Sequence, residues 1–189
     1  MQADWFKQML EAAQLSRRWL KSATLRFGLK NRKIYKTLPR PVRIVLFVCK
    51  GNICRSPFAA SYLGAKLKGR DCPIEVFSAG LETISGEKAN PVASSVALQN
   101  QISLEAHVTT PVTRELIGRA DLIIVMEFMQ CVDLLKKFPE AERKVFRLGD
   151  FHKGLAREIW DPYGGTHADF EFCFRMIRRC CDNLMGALI

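Results

Sequence analysis

The chain has 189 residues and a mass of 21.5 kDa, enough for one domain with an appendage, and its 48% hydrophobic and 25% charged content is that of a globular protein. Its longest apolar runs, Ile44 to Val48 and Leu122 to Met126, are far too short to cross a bilayer as helices. The formal charge of +10 is unevenly placed: residues 1–41 hold ten Lys/Arg against two Asp/Glu, a net of +8, whereas residues 42–189 come to only +2.

That imbalance divides the chain into a basic N-terminal extension, residues 1–41, and a nearly neutral domain, residues 42–189, with Pro39-Arg40-Pro41 at the join. On a helical wheel Trp5, Phe6, Met9, Ala13, Leu20, Ala23 and Phe27 gather on one side. Lys7, Glu11, Arg18, Lys21 and Ser22 gather opposite, so an amphipathic helix is expected. Two readings stay open for it. One is self-association or packing on its own domain; the other is contact with an anionic membrane surface, with Trp5 and Trp19 at the interface. Nucleic acid is not expected as a partner.

From Val42 onward strand and helix patterns alternate. Ile44 to Val48 is a continuous β-branched and aliphatic run, as in a strand buried on both faces. Ser56 to Lys68 reads as a helix, Ile74 to Ser78 as a strand, and Pro91 to Asn100 as a helix opened by proline. Leu122 to Met126 is a third strand, Phe128 to Phe138 a helix, Lys144 to Leu148 a weaker strand, and Ala168 to Leu188 a long amphipathic helix. Such alternation predicts an α/β fold: a doubly wound, four-stranded parallel sheet with helices on both faces, preceded by the basic helical extension. Ligands of such folds bind beyond the carboxyl ends of the strands.

The segment at that position is Cys49-Lys50-Gly51-Asn52-Ile53-Cys54-Arg55-Ser56-Pro57. It joins the first strand to the first helix, where backbone N–H groups and the helix dipole favour an anion. Gly51 is expected to give the loop unusual dihedral angles and a close approach to ligand. Five residues separate Cys49 from Arg55, so the loop can curl around a tetrahedral oxyanion, with Lys50, Gly51, Asn52, Ile53, Cys54 and Ser56 as its other members. Arg55 offers a planar fork to two oxygens, and the positive cradle favours Cys49 as a thiolate nucleophile. The Ser56 hydroxyl can donate to that sulfur. Singly these residues suit a buried thiol and a solvated arginine; their joint spacing after a strand is what points to chemistry.

The seven cysteines form no secreted disulfide framework, no apolar leader opens the chain, and no His/Cys spacing suits zinc. A reducing, cytoplasmic location is expected, with no metal and no cofactor.

The loop resembles the signature Cys-x-Gly-Asn-x-Cys-Arg-Ser-Pro of the low-molecular-weight protein tyrosine phosphatases, and the resemblance covers essentially all of residues 42–189. It implies hydrolysis of phosphotyrosine through a phosphocysteine on Cys49. Asp161, in Trp160-Asp161-Pro162-Tyr163, resembles the family's general acid; read alone, an Asp-Pro pair is a turn. Ser78 and His107, with Asn52 and Ser56, resemble residues that lock the loop, and Tyr163 resembles the aromatic wall beside the substrate ring. The sequence is closest in style to bacterial members, which implies a phosphotyrosine protein substrate such as a tyrosine kinase, and a place at the inner face of the membrane.

Rival readings remain within the same fold. An arsenate reductase would need two further cysteines in a mobile segment, and none stands between Cys72 and Cys131. A phosphoarginine phosphatase carries threonine where this chain has Ile53, an apolar side chain better suited to a tyrosine ring. An inactive phosphate-binding module would have lost the nucleophile or the acid, yet Cys49, Arg55 and Asp161 are all present. A peroxide-driven Cys49–Cys54 disulfide and a plain buried thiol at Cys54 are both open.

Overall fold

Val45 to Cys49 are fully or almost fully buried, which is the environment a run without polar alternation requires. In the computed structural model, which describes residues 37–70, 72–153 and 158–189, they form strand β1, Ile44–Cys49. There follow α1 (Arg55–Leu67), β2 (Glu75–Gly80), α2 (Pro91–Gln99), α3 (Arg114–Arg119), β3 (Leu122–Val125), α4 (Phe128–Lys137), β4 (Val145–Arg147) and α5 (His167–Leu188). Two short 3-10 turns, Pro139–Ala141 and Leu148–Phe151, flank β4. The amphipathic helix expected in the basic extension lies outside the described residues. Leu38–Ile189 forms a single unit, in which Leu38 packs on the core and Arg40 Nη2 donates to the carbonyl of Ala187 at 2.9 Å near the end of α5.

The four strands are all parallel, in the order β2-β1-β3-β4. Alternate side chains of β1 and β3 feed two separate cores. Val45, Phe47, Leu122 and Ile124 face α1, α2 and α5, where Phe58 stacks on Phe174 with ring centroids 3.8 Å apart. Leu46, Val48, Ile123 and Val125 face α3 and α4 through Ile117 and Leu134. Helices therefore cover both faces, as the alternating pattern predicts.

Two differences from expectation are instructive. The sequence pattern predicts no helix between Asn100 and Leu122, yet Arg114–Arg119 is one, started by Thr113 whose hydroxyl accepts from Leu116 N at 3.2 Å. Six residues are too few to display a helical period. The weak strand at Lys144 to Leu148 contracts to Val145–Arg147, because Leu148 turns inward into a 3-10 turn. Among the described residues no helix is long and apolar enough to cross a membrane.

The strand order places β1 at the centre, with its neighbours reached by connections running in opposite directions. In such a sheet the crevice opens at the carboxyl end of that strand. Cys49 is its last residue.

Candidate active site

The backbone must reverse between Cys49 at the end of β1 and Arg55 at the start of α1. It does so through Asn52, whose φ of 55° lies in the left-handed region. The expectation that Gly51 supplies the unusual dihedral is thus corrected: Gly51 does not have positive φ, and a Cβ there would make ordinary contact with Ile53 at 3.5 Å. A left-handed non-glycine residue costs about 1–2 kcal/mol, and Asn52 offsets this with hydrogen bonds. It is fully buried, and every polar group it owns is engaged. Its N–H donates to Cys49 Sγ at 3.3 Å and its carbonyl accepts from His107 Nε2 at 2.7 Å. Its Nδ2 donates to Ser56 Oγ and Ser78 Oγ, both at 2.9 Å, and its Oδ1 accepts from Thr110 N at 2.9 Å.

Burial lowers the pKa of His107 from its ordinary 6.5 despite the bond to Asn52, which favours the charged form. The ring is therefore the neutral tautomer with its proton on Nε2, donating to the loop. Ser56 Oγ lies 3.0 Å from Cys49 Sγ and 3.3 Å from the carbonyl of Ala79. Because Asn52 already donates to that hydroxyl, the Ser56 proton is left to bond the sulfur or the carbonyl.

Gly80 matters where Gly51 does not. The register pairs Cys49 with Gly80, and a Cβ on Gly80 would stand 2.7 Å from Thr83 Cγ2, 3.0 Å from Asn52 Cβ and 3.0 Å from the Lys50 carbonyl. Only glycine lets the loop fold back this closely on β2.

Arg55 is buried, and its guanidinium is tied on two sides. Nη1 donates to Glu127 Oε1 at 2.5 Å and to the Ile159 carbonyl at 3.0 Å, while Nη2 donates to Asp161 Oδ2 at 2.5 Å. Burial alone would weaken the cation, but Cys49, Asp161 and Glu127 together hold its pKa above the ordinary value. Its Nε is buried with no partner among the described residues. An unmet buried donor costs about 1–3 kcal/mol, which an oxyanion accepting from it would recover.

Glu127 and Gln130 are site residues that the sequence reading missed. Glu127 caps α4 and accepts from Gln130 Nε2 at 3.1 Å, and Gln130 Oε1 accepts from Met126 N at 2.9 Å. The carboxylate that steers Arg55 is thus itself held by a capping box. A Glu followed three residues later by Gln, directly after a buried strand, was the available signal.

The remaining predicted residues divide. Asp161 meets Arg55, and its other oxygen accepts from Tyr163 N at 3.3 Å, so the turn and the site coexist. Ser78 and His107 both reach the loop through Asn52. Ile53 is half-buried, and its carbonyl accepts from Asn90 N at 2.8 Å. The Lys50 side chain pairs outside the loop: its exposed ammonium lies 3.4 Å from Glu82, a solvated pair worth little. Tyr163 is exposed. Cys54 is buried, and burial first, then the charges of Cys49 and Asp161, push its pKa up to about 12 against the opposing pull of Arg55. It remains a neutral thiol near pH 7.

The buried Cys49 sulfur and the buried Arg55 guanidinium beside the half-exposed Asp161 carboxylate, within a rigid strand–loop–helix turn, define a site built to hold an oxyanion. The family model described as "Low molecular weight phosphotyrosine protein phosphatase" matches residues 44–189, and the chain belongs to that family. It is 37% identical over 141 residues to the probable low molecular weight protein-tyrosine-phosphatase EpsP of Ralstonia nicotianae, which spans 75% of this chain and 92% of that protein. It is 33% identical over 122 residues to the protein-arginine-phosphatase of Bacillus subtilis, spanning 65% of this chain and 81% of the relative. The crystal structure of the Erwinia amylovora tyrosine phosphatase AmsI superposes with a TM-score of 0.72 at 33% identity, covering 78% of this chain and 93% of that one.

Proposed function

We propose that this protein hydrolyses phosphotyrosine in proteins through a phosphocysteine on Cys49. The observation that carries the reading is Arg55, which joins Cys49 and Asp161 in one electrostatic cluster and keeps Nε unspent. In the first step the Cys49 sulfur attacks phosphorus and the bond to the phenolic oxygen breaks. Arg55 Nε and Nη2 hold two equatorial oxygens as charge builds on them. A phosphate oxygen at Nη2 takes the place of Asp161, which, released from the guanidinium, takes up a proton from water and delivers it to the departing oxygen. In the second step Asp161 accepts a proton from water, the water oxygen displaces sulfur at phosphorus, and phosphate leaves with Cys49 restored as thiolate. The Asn52 amide and the Ser56 hydroxyl support the sulfur in both steps.

Turnover of p-nitrophenyl phosphate tests this directly. Cys49→Ser should lose activity by about a thousandfold or more, as removal of a nucleophile does. Asp161→Asn should slow esters of poor leaving groups far more than the nitrophenyl ester. Equal rates for wild type and Cys49→Ser would end the reading.

A second substrate class is supported by the relative named as a protein-arginine-phosphatase. Ile53 argues for the aromatic one, because a branched apolar side chain at the loop crest packs on a ring better than on a charged guanidinium. Phosphate release from matched phosphotyrosyl and phosphoarginyl peptides separates the two. The finer assignments belong to the same reading: a tyrosine kinase as substrate, and residues 1–41 as contact to an anionic membrane or to a second copy. The +8 of that segment supports the membrane contact.

A further inference from the structure

Beside the carboxylate of Asp161 the surface turns aromatic. Trp160 is 60% exposed, Tyr163 65% and Phe172 51%. Trp160 cannot drift from the mouth, because its neighbours on both sides are fastened to the catalytic guanidinium. The Ile159 carbonyl accepts from Arg55 Nη1, and the Asp161 carboxylate accepts from Arg55 Nη2. Ile159 and Pro162 are buried, so the segment is anchored while the indole stands out. The Trp160 carbonyl also accepts from Cys173 Sγ at 3.4 Å, which lays this segment against α5 one residue from Phe172. The Phe172 ring carries the Arg175 guanidinium at 5.3 Å, leaving it amphipathic rather than hidden. Gly164, Gly165 and Thr166 link Tyr163 to α5; a Cβ on Gly164 would meet nothing within 4 Å, whereas one on Gly165 would stand 2.8 Å from Asp169 Oδ2, so the link is open at Gly164 and closed by Asp169 at Gly165.

We propose that Trp160 and Phe172, continuous with Tyr163, form a docking rim for apolar side chains that flank the phosphotyrosine of a polypeptide substrate. The inference rests on the phosphotyrosine phosphatase reading and extends it to what lies outside the pocket. The occupant follows from chain connectivity. A phosphotyrosine held at Cys49 leaves its own backbone at the mouth, and residues two to four positions away reach about 7–14 Å further. They must pass over whatever lines the rim. Exposed apolar side chains standing singly are ordinary, as Phe77, Ile84 and Leu98 are here, but several aromatic ones near one site mark a binding surface, and they offer contact area with few rotatable bonds to freeze. The charges around them are mixed: Asp169 serves the α5 cap, Glu171 faces His167, and Arg175 covers Phe172. Such a rim favours leucine or phenylalanine over a strongly charged flank.

Steady-state kinetics of the full chain with three substrates test this: p-nitrophenyl phosphate, a phosphotyrosyl peptide flanked by Leu and Phe, and a matched peptide flanked by Ser and Gly. Wild type should favour the apolar peptide in kcat/KM by about tenfold, the effect of burying roughly one apolar side chain. Phe172→Ser and Trp160→Ser should each remove part of that preference and the double variant all of it. Turnover of p-nitrophenyl phosphate should stay within about twofold, because that ester has nothing to reach the rim with. Should Trp160→Ser disturb the adjacent acid and slow the small ester, Phe172→Ser alone decides, since it lies on an exposed helix face. No preference in wild type, or a preference kept by the double variant, overturns the proposal. So does a double variant that loses only self-association in sedimentation, which would assign the rim to a second copy. A wild type inactive on p-nitrophenyl phosphate would instead overturn the phosphatase reading beneath it.

Discussion

Asn52 carries the loop. It is the residue with left-handed backbone, and its side chain ties the end of β1 to Ser78 of β2 and to Thr110. Asn52→Ala should therefore strand several buried partners at once, costing roughly 2–4 kcal/mol of stability by the usual penalties for unmet buried groups. It should also cut kcat/KM for nitrophenyl phosphate more than Trp160→Ser or Phe172→Ser does. Urea unfolding alongside nitrophenyl phosphate turnover checks both. His107 adds a pH dependence with a defined sign. Its folded pKa lies below the 6.5 of a free imidazole, because burial disfavours the charged ring. The unfolded chain thus takes up the proton first. Stability should fall as pH drops through about 6.5, and level off below the folded value. His107→Asn should flatten that slope; an unchanged slope would show that the ring is not the titrating group. The contiguous loop from Cys49 to Pro57 was legible in sequence because one short segment holds thiol, guanidinium and hydroxyl. The capping pair Glu127 and Gln130 had a local signal, but the meeting of Glu127 with Arg55 had none, since it occurs only when β3 pairs with β1, 72 residues further along the chain. The left-handed position fell on Asn52 and not on Gly51 because hydrogen bonds with three distant residues, Ser78, His107 and Thr110, fix it there.

At the scale of elements, the site depends on how closely β1 and β2 lie at their carboxyl ends. Leu81 N donates to the Cys49 carbonyl at 3.0 Å and Glu82 N to the Lys50 carbonyl at 2.9 Å, so β2 hands its chain directly to the back of the loop. Gly80→Ala should push its methyl against Asn52 and the Lys50 carbonyl. Overpacking of this kind costs about 1–3 kcal/mol, and here it should lower kcat at least as clearly as stability, because what yields is the loop. Gly51→Ala should be milder on stability, since its neighbours leave ordinary room. Equal stability losses for the two would contradict this account. Parallel strands and their covering helices were readable because buried β1 and β3 are continuous apolar runs and α1 and α5 show helical spacing. α3 and the 3-10 turns were not readable; they are too short for a period, and a capping threonine, the packing of Ile117 and the inward turn of Leu148 specify them.

The whole molecule joins a nearly neutral catalytic domain to a segment with most of the net charge. Residues 1–36 contain nine Lys/Arg against Asp4 and Glu11. If that segment holds an anionic leaflet, full-length protein should sediment with vesicles containing anionic lipid at low salt and release as salt is raised, while residues 37–189 should stay in solution. Equal sedimentation of both would move the contact to the domain itself. Yet catalysis should not depend on the segment, because the groups placed around Cys49 among the described residues belong to residues 49–161. The most direct test of that chemistry is a rapid quench of the Asp161→Asn enzyme turning over nitrophenyl phosphate, followed by intact mass and peptide mapping. The account predicts one added phosphoryl group, on Cys49 and absent from Cys49→Ser; steady turnover with no phosphorylated enzyme, or a phosphoryl group on any other residue, would contradict it.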